Sequence, residues 1–254
     1  MKKKTGGAFM NMNGRVALVT GAAAGIGKAV ALKLAEYGAK LILLDVNLEK
    51  LQVLQEELSQ YTSEVLIERC DISDEACVEK VVAKATERFE RIDILVNNAA
   101  IWRGWMETVD TPSEVWKRFL DVNVMGTVYM TNAVLRGMQE RRWGRIINVA
   151  SVAGVYGIRR MVPYSASKGA VISMTKALAR EVAEFGITVN SVSPGTVSPA
   201  ENEDVNYTEP NSMSYMGRTG SGNENAELIC YLASDAAAYI SGENMIIDGC
   251  RKTL

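Results

Sequence analysis

The sequence predicts an α/β fold in which helices cover both faces of a parallel sheet of about seven strands. Short apolar runs of strand length alternate with segments of helical periodicity along the chain. The order strand, helix, strand recurs without an internal repeat or a linker rich in Pro or Gly. With 254 residues, 48% of them hydrophobic, the chain is long enough to bury a large core in one domain.

Seven short apolar segments predict the strands, since they are bounded by Gly, Asp or Asn and have no helical period. They cover residues 15–20, 40–44, 64–68, 92–96, 145–150, 187–192 and 244–247. Parallel strands joined by helices require right-handed crossovers, which favours the doubly wound, Rossmann-type sheet.

Seven segments with apolar residues three and four apart predict the helices between these strands. They cover 25–37, 48–60, a segment capped by Ser73 that ends near Glu90, 112–119, 124–141, 163–184 and 223–234. Two regions fall outside this pattern. We expect residues 1–13 to form a flexible leader to a single domain at 14–254, and about 196–216 to form a lid, since long irregular loops in compact domains are often functional.

Composition excludes several classes of function. Histidine is absent, which removes Ser-His-Asp and Cys-His mechanisms and His-ligated metal sites. The net charge of −2 argues against a nucleic-acid binder, and no apolar run approaches the length of a membrane span. The four cysteines form no C-x-x-C pair, so we expect no metal site and reduced thiols in a cytoplasmic protein.

A glycine cluster, TGAAAGIG at residues 20–27, joins the first strand to the first helix. Glycines at this point allow a pyrophosphate to approach the backbone, and the helix N-terminus supplies N–H donors and partial positive charge. Asp45 ends the second strand, where a carboxylate accepts from ribose hydroxyls and repels a 2′-phosphate. Since Ala24 offers no basic side chain, the pattern favours NAD over NADP. A tight turn at the glycines and a strand-end cap at Asp45 remain the alternatives.

Further motifs follow in order along the chain. They are Asn97-Asn98-Ala99-Ala100 after the fourth strand, Asn123, Ser151 after the fifth strand, Tyr164-x₃-Lys168, and Asn190 followed by Pro194-Gly195. With the TG-x₃-G-x-G spacing of the glycines, they resemble the short-chain dehydrogenase/reductase family over residues 15–250. Ala100 departs from the glycine of the family's Asn-Asn-Ala-Gly motif, and Pro199 from a threonine, which Thr196 or Ser198 would have to replace.

The resemblance implies a site residue by residue. The implied catalytic residues are Asn123, Ser151, Tyr164 and Lys168. The implied cofactor-binding residues are Gly21, Ala24, Gly25, Ile26, Gly27, Asp45, Asp71, Ile72, Asn98, Ala99, Ala100, Tyr164, Lys168, Pro194, Gly195 and Val197. The implied substrate-binding residues are Ser151, Ala153, Tyr156 and Tyr164.

The spacing of Tyr164 and Lys168 suits this chemistry, since residues four apart share one face of a helix. A free phenol has a pKa near 10, and we expect the ammonium and a positive nicotinamide to lower the pKa of Tyr164. Tyr164 would then act as general acid or base while hydride passes between the cofactor and a carbon of the substrate. The expected enzyme is an NAD(H)-dependent oxidoreductase that interconverts a secondary alcohol and a ketone.

Apolar residues after Ala100, after Ser151, before Tyr164 and in the lid favour an apolar or ring-shaped substrate. A hydroxysteroid-like compound or a polyol would fit, and a 3-oxoacyl-thioester reductase is an alternative. A non-catalytic dinucleotide-sensing module is another, although such modules typically lose the tyrosine or the lysine. Apolar residues in the helices at 124–141 and 163–184 exceed what one sheet face needs, so we expect a homodimer or homotetramer.

Overall fold

The computed structural model describes residues 10–62, 64–198 and 203–252. Within them lies one seven-stranded parallel sheet of order β3-β2-β1-β4-β5-β6-β7. The strands are β1 Val16–Thr20, β2 Lys40–Asp45, β3 Val65–Arg69, β4 Ile94–Asn97, β5 Gly144–Val149, β6 Ile187–Pro194 and β7 Asn244–Ile247. All seven predicted strands are present, with ends that differ by at most two residues.

Eight α-helices lie in the described part of the chain. They are α1 Gly25–Glu36, α2 Leu48–Leu58, α3 Glu75–Phe89, α4 Ser113–Leu120, α5 Gly126–Arg141, α6 Val152–Tyr156, α7 Val162–Val182 and α8 Gly222–Ala233. The short α6 was not predicted, because five residues are too few to show a helical period.

The strand order reverses at β1, which pairs with β2 on one side and with β4 on the other. The loops that follow β1 and β4 therefore leave the sheet in different directions and open a crevice at its carboxyl edge. The glycine cluster follows β1 and the Asn97-Asn98 motif lies at the end of β4, so both border this crevice.

Two apolar layers enclose the sheet, and alternate residues of each strand belong to different layers. In β1, Val19 packs with residues of α1, α2 and α8, whereas Leu18 packs with residues of α3, α5 and α7. Both side chains are fully buried. Burial on both faces explains why the strands are nearly continuous apolar runs.

The start of α3 differs from the prediction. Asp74, not Ser73, is its N-cap and accepts from Cys77 N at 3.2 Å. Ser73 instead donates to Asp71 Oδ1, at 2.7 Å from its hydroxyl and 3.0 Å from its amide. A carboxylate is the better partner for the positive end of the helix, which accounts for the shift by one residue.

A single π-turn at Asp121–Met125 joins α4 to α5, so the two predicted helices run on without a break. Such turns add one residue to the helical ladder and often occur at functional sites. Here the turn contains Asn123, which is 1% exposed.

The packed domain begins earlier than the predicted boundary at residue 14. Met12 is 1% exposed within the core, and its amide donates to Tyr37 O at 2.9 Å. Its apolar side chain fills a space beside α1, which a flexible leader would leave empty. None of the helices in the described ranges has the length and apolarity to cross a bilayer.

Candidate active site

The turn between β1 and α1, residues 20–27, is called the cradle here. Gly21 and Gly27 within it lie where a Cβ would collide with neighbouring atoms. Gly21 has φ +62°, and a Cβ there would lie 2.8 Å from Ala99 Cα. A Cβ on Gly27 would lie 2.1 Å from Gly21 O and 2.6 Å from Asn98 Nδ2. These distances are far inside van der Waals contact, so no side chain fits at either glycine.

Asn98 and Thr20 clasp this turn to the end of β4. Asn98 Nδ2 donates to Thr20 O and Gly21 O, both at 3.0 Å. In return, the amides of Asn98 and Ala99 donate to Thr20 Oγ1 at 3.0 Å. The side chain of Asn98 therefore shapes the cradle from within.

The N-terminus of α1 faces this cradle without a side-chain cap. Its N-cap, Ala24, is extended and has no side-chain oxygen, and the first turn of the helix contains no acidic residue. Asp45 lies beside the cradle, where its Oδ2 accepts from Ala23 N at 3.0 Å and its Oδ1 from Asn47 N at 3.0 Å. The result is a group of N–H donors suited to an anion, with a carboxylate beside them.

Ser151, Tyr164 and Lys168 meet at the carboxyl end of β5. Ser151 caps α6 by accepting from Ala153 N at 3.1 Å and is hydrogen-bonded to Tyr164. Lys168 Nζ donates to Val149 O at 2.7 Å and lies 5.9 Å from the centroid of the Tyr164 ring. A Cβ on Gly154 would lie 2.5 Å from the carbonyl carbon of Lys168, so α6 and α7 approach as closely as backbones can.

Burial governs the electrostatics of this group. It lowers the pKa of the Lys168 ammonium to about 8. It also raises the pKa of the Tyr164 phenol, which the hydrogen bond from Ser151 partly offsets. The expected lowering of the Tyr164 pKa is therefore not found in the chain by itself, because Lys168 gives its nearest hydrogen bond to Val149 and burial dominates.

Three hydrogen bonds hold the side chain of Asn123 in place. Its Oδ1 accepts from Ile101 N at 2.9 Å, and its Nδ2 donates to Ile101 O and to Ser167 Oγ, both at 3.0 Å. Ser167 in turn donates to Tyr164 O at 2.8 Å. Asn123 thus links the loop after β4 to the turn of α7 that carries Tyr164.

The segment after β6 closes the other side of the site. A Cβ on Gly195 would lie 2.7 Å from Asp248 Cβ, and Val197 forms a bridge with Gly220. Ser198 Oγ lies 2.7 Å from Thr219 Oγ1, and Thr196 Oγ1 accepts from Arg251 at 3.4 Å. The hydroxyls of Thr196 and Ser198, which were expected to replace the family's threonine, are thus hydrogen-bonded within the chain. Pro199 itself lies outside the described residues.

A cleft of about 460 Å³ opens between the loop after β4 and α4. Its walls are mostly apolar with two guanidinium groups, and the lining residues are Ala100, Ile101, Trp102, Arg103, Gly104, Met106, Val115, Arg118 and Phe119. The Phe119 ring meets the Tyr164 ring edge to face, with 6.2 Å between centroids. The cleft therefore adjoins Tyr164.

Residues 15–210 match the family model described as short chain dehydrogenase. The chain belongs to the short-chain dehydrogenase family. It is 39% identical over 243 residues to 3-oxoacyl-(acyl-carrier-protein) reductase FabG of Vibrio cholerae, covering 94% of this chain and 98% of that protein. It is 35% identical over 246 residues to 3beta-hydroxysteroid dehydrogenase 2 of Eggerthella lenta, covering 93% and 94%. A crystal structure of NAD+-bound xylitol dehydrogenase superposes with a TM-score of 0.86 at 33% identity, covering 93% of this chain and 98% of that one.

As a short-chain dehydrogenase, the chain is an oxidoreductase acting on alcohol and keto groups. The residues expected to bind the cofactor lie at the carboxyl ends of β1, β2, β3, β4 and β6 or in the segments that follow them, apart from Tyr164 and Lys168 on α7. Ser151 follows β5, and Asn123 lies in the π-turn before α5. Two of the expected site residues differ from the rest. The Asp71 carboxylate already accepts hydrogen bonds from Ser73, and the Tyr156 side chain is 55% exposed at the end of α6.

Sequence reasoning missed four residues that shape this site. They are Thr20, Phe119, Gly154 and Ser167. Thr20 was visible as the residue before the first glycine of the cradle. The other three had no signal, because a phenylalanine, a glycine and a serine in helices indicate nothing until their neighbours are known.

Proposed function

We propose that this short-chain dehydrogenase interconverts a secondary alcohol and a ketone with NAD(H), and that Tyr164 carries the proton. The observation that supports it is the convergence of Ser151, Tyr164 and Lys168 at the end of β5, beside a cleft. Each of the three is positioned by a strand end or a helix, so their relative geometry does not depend on a flexible loop.

The cradle fits a dinucleotide. A Cβ at Gly21 or Gly27 would collide with backbone, and α1 begins without a side-chain cap, which suits a pyrophosphate. We assign Gly21, Ala24, Gly25, Ile26 and Gly27 to this group. Asp45 would hold the ribose hydroxyls and disfavour a 2′-phosphate, which supports NAD over NADP.

Further along the site, Asp71, Ile72 and Asn98-Ala99-Ala100 would border the adenine and ribose. Pro194, Gly195 and Val197 would border the nicotinamide. When bound, the nicotinamide accepts or gives the hydride.

The chain's own residues manage the proton and the reacting oxygen. Ser151 donates a hydrogen bond toward the oxygen that Tyr164 protonates or deprotonates. At neutral pH a lysine with a pKa of about 8 is mostly an ammonium, so Lys168 supplies positive charge that favours the phenolate. Asn123 holds the turn of α7 beneath Tyr164 through Ser167.

The cleft supports an apolar or ring-shaped substrate such as a hydroxysteroid-like alcohol. Trp102, Met106, Val115 and Phe119 provide the apolar wall, and the edge of Phe119 lies against Tyr164. In α6, which follows Ser151, the buried Ala153 and the exposed Tyr156 would complete the substrate contacts.

A second candidate is reduction of a 3-oxoacyl thioester, which the similarity to the Vibrio cholerae reductase favours. The two are separated by comparing kcat/KM for a cyclic ketone and for a 3-oxoacyl thioester at equal cofactor concentration. A higher value for the thioester would select the second candidate.

The decisive experiment for the catalytic assignment is Tyr164→Phe. The variant keeps the ring and its contact with Phe119 but loses the proton carrier, so folding and NAD binding persist while turnover falls by about 10²–10⁴-fold. Turnover within tenfold of the wild type would contradict the assignment. NAD binding without turnover of any ketone in the wild type would instead favour a dinucleotide-sensing module.

We also propose that the segment after Val197 forms the lid of this site. Its described part is tied to the chain end, where Tyr215 N donates to Cys250 O at 3.0 Å and Lys252 N to Met213 O at 2.9 Å. A cytoplasmic location suits the four unpaired cysteines. Assembly as a homodimer or homotetramer is the remaining expectation.

A further inference from the structure

Two cysteines lie in contact between the end of β3 and the start of α3. Cys70 follows β3, and Cys77 lies in the first turn of α3. Their sulfur atoms are 3.4 Å apart, and Cys77 Sγ donates toward Cys70 Sγ. A disulfide needs about 2.05 Å between the sulfurs, so a movement of about 1.4 Å would join them.

The two thiols differ in access. Cys70 is 2% exposed, and burial raises the pKa of its thiol. Cys77 is only partly buried. A small oxidant therefore reaches Cys77 first, and Cys70 is placed behind it as the second sulfur.

The pair is joined to the predicted cofactor site through the backbone. The amide of Cys70 donates to Asp45 O at 3.0 Å, and Asp71 and Ile72 follow Cys70 directly. Ile72 packs so tightly on α5 that a Cβ on Gly126 would lie 2.6 Å from Ile72 Cδ1. A movement of Cys70 thus bears on the ribose carboxylate and on the segment assigned to adenine.

We propose that Cys70 and Cys77 form a peroxide-oxidised dithiol site whose disulfide weakens dinucleotide binding. The thiolate of Cys77 attacks one oxygen of hydrogen peroxide, the O–O bond breaks, and Cys77 becomes a sulfenic acid, while the departing hydroxide takes up the proton that Cys77 released and leaves as water. The sulfur of Cys70 then attacks Cys77 Sγ, its proton passes to the departing oxygen, and water leaves. In sum, two thiols and one hydrogen peroxide give one disulfide and two waters, and a thiol reductant reverses the reaction.

The oxidation is tested on the reduced full-length chain with hydrogen peroxide, followed by alkylation of free thiols and peptide mapping without reduction. We expect a cross-linked peptide pair containing Cys70 and Cys77, while the fully buried Cys230 stays alkylatable after denaturation. Cys77→Ser should abolish the cross-link, and Cys70→Ser should leave Cys77 as a sulfenic acid that dimedone traps. Cys250→Ser is the matched control, since Cys250 is exposed and distant in sequence, and it should leave the cross-link intact. Thiol loss confined to Cys250, or oxidation of Cys77 without the cross-link, would overturn the proposal.

The second half of the proposal rests on the proposed cofactor and is measured by equilibrium binding of NAD. We expect the dissociation constant to rise about fivefold or more on oxidation, to recover with dithiothreitol and to stay constant in peroxide-treated Cys77→Ser. By reciprocity, saturating NAD should lower the fraction of the wild type that is cross-linked at equilibrium in a thiol–disulfide buffer. A cross-link with unchanged NAD affinity refutes the coupling. Absence of binding of NAD and NADP to the reduced wild type refutes the proposed function instead, and the peptide map still decides whether the dithiol site exists.

Discussion

Replacing Lys168 with methionine should stabilise the folded chain while it abolishes turnover. The side chain is 3% exposed, and burial lowers the pKa of its ammonium from an ordinary 10.5 to about 8. Since each pKa unit corresponds to about 1.4 kcal/mol, holding the charge there costs about 3 kcal/mol. Methionine removes that cost and the hydrogen bond to Val149 O. A bond from a charged donor contributes about 2 kcal/mol, so a net gain of about 1 kcal/mol is expected.

The gain in stability of Lys168→Met over the wild type should depend on pH, and the pKa of Lys168 gives the direction. Below pH 8 the lysine is protonated in both the folded and the unfolded chain, and the full cost is present. Between about 8 and 10.5 the unfolded chain binds more protons, so the stability of the wild type rises with pH. Above that window both states are neutral and the cost is gone. The advantage of Lys168→Met should therefore shrink as pH rises through the window.

Urea unfolding followed by circular dichroism at several pH values, with NADH absorbance for turnover, measures both effects. Lys176→Met is the matched control, because Lys176 is on α7 too but is exposed, and it should change neither stability nor turnover appreciably. Equal or lower stability of Lys168→Met at neutral pH would refute the burial argument, as would an advantage over wild type that is constant with pH. Wild-type turnover in that variant would refute the role of the lysine.

Three further outcomes are expected. Gly27→Ala should lose dinucleotide binding and about 1–3 kcal/mol of stability because its Cβ would lie 2.1 Å from Gly21 O. Gly169→Ala should be tolerated, since its Cβ would lie 3.6 Å from the nearest atom. Equal losses of stability in calorimetry would refute the packing argument for Gly27. Asp45→Asn should lower the ratio of kcat/KM with NAD to kcat/KM with NADP, while the asparagine oxygen still accepts from Ala23 N. A wild type with the higher kcat/KM for NADP would contradict the assignment of Asp45. Light scattering should give two or four times the chain mass of 27.7 kDa, and a single-chain mass would exclude the assembly.

The sheet was predictable because burial on both faces makes each strand a short apolar run. The order of β1, α1 and β2 predicts that the glycine cluster and Asp45 serve one dinucleotide, and the structure brings Asp45 Oδ2 to 3.0 Å from Ala23 N within that turn. Residues of the site that end strands or share a helix face could be located for the same reason, since position along a regular element determines direction.

Other features depend on contacts between distant segments, which no local pattern records. The clasp between Thr20 and Asn98 joins residues 78 apart, and the link from Asn123 to Ser167 joins residues 44 apart. The π-turn at Asp121–Met125 also had no signature, since its apolar spacing resembles two helices separated by a break. In the chain by itself burial raises the pKa of the Tyr164 phenol, an effect that the spacing of Tyr164 and Lys168 does not reveal.

The residues proposed for proton transfer lie on closely packed helices, whereas the proposed substrate cleft is built largely from a loop. Gly154 and Lys168 fix α6 against α7 at backbone contact, and Ser151 caps α6, so the residues proposed to carry the proton have little freedom to move. The cleft wall, by contrast, is built from the loop after β4, where Trp102 is half-exposed and few backbone bonds hold its residues to the sheet. A change there alters the shape offered to a ketone without moving Tyr164. Relatives named for a 3-oxoacyl, a steroid and a polyol substrate are all similar to this chain, so we expect the choice of substrate to depend on the residues of this cleft.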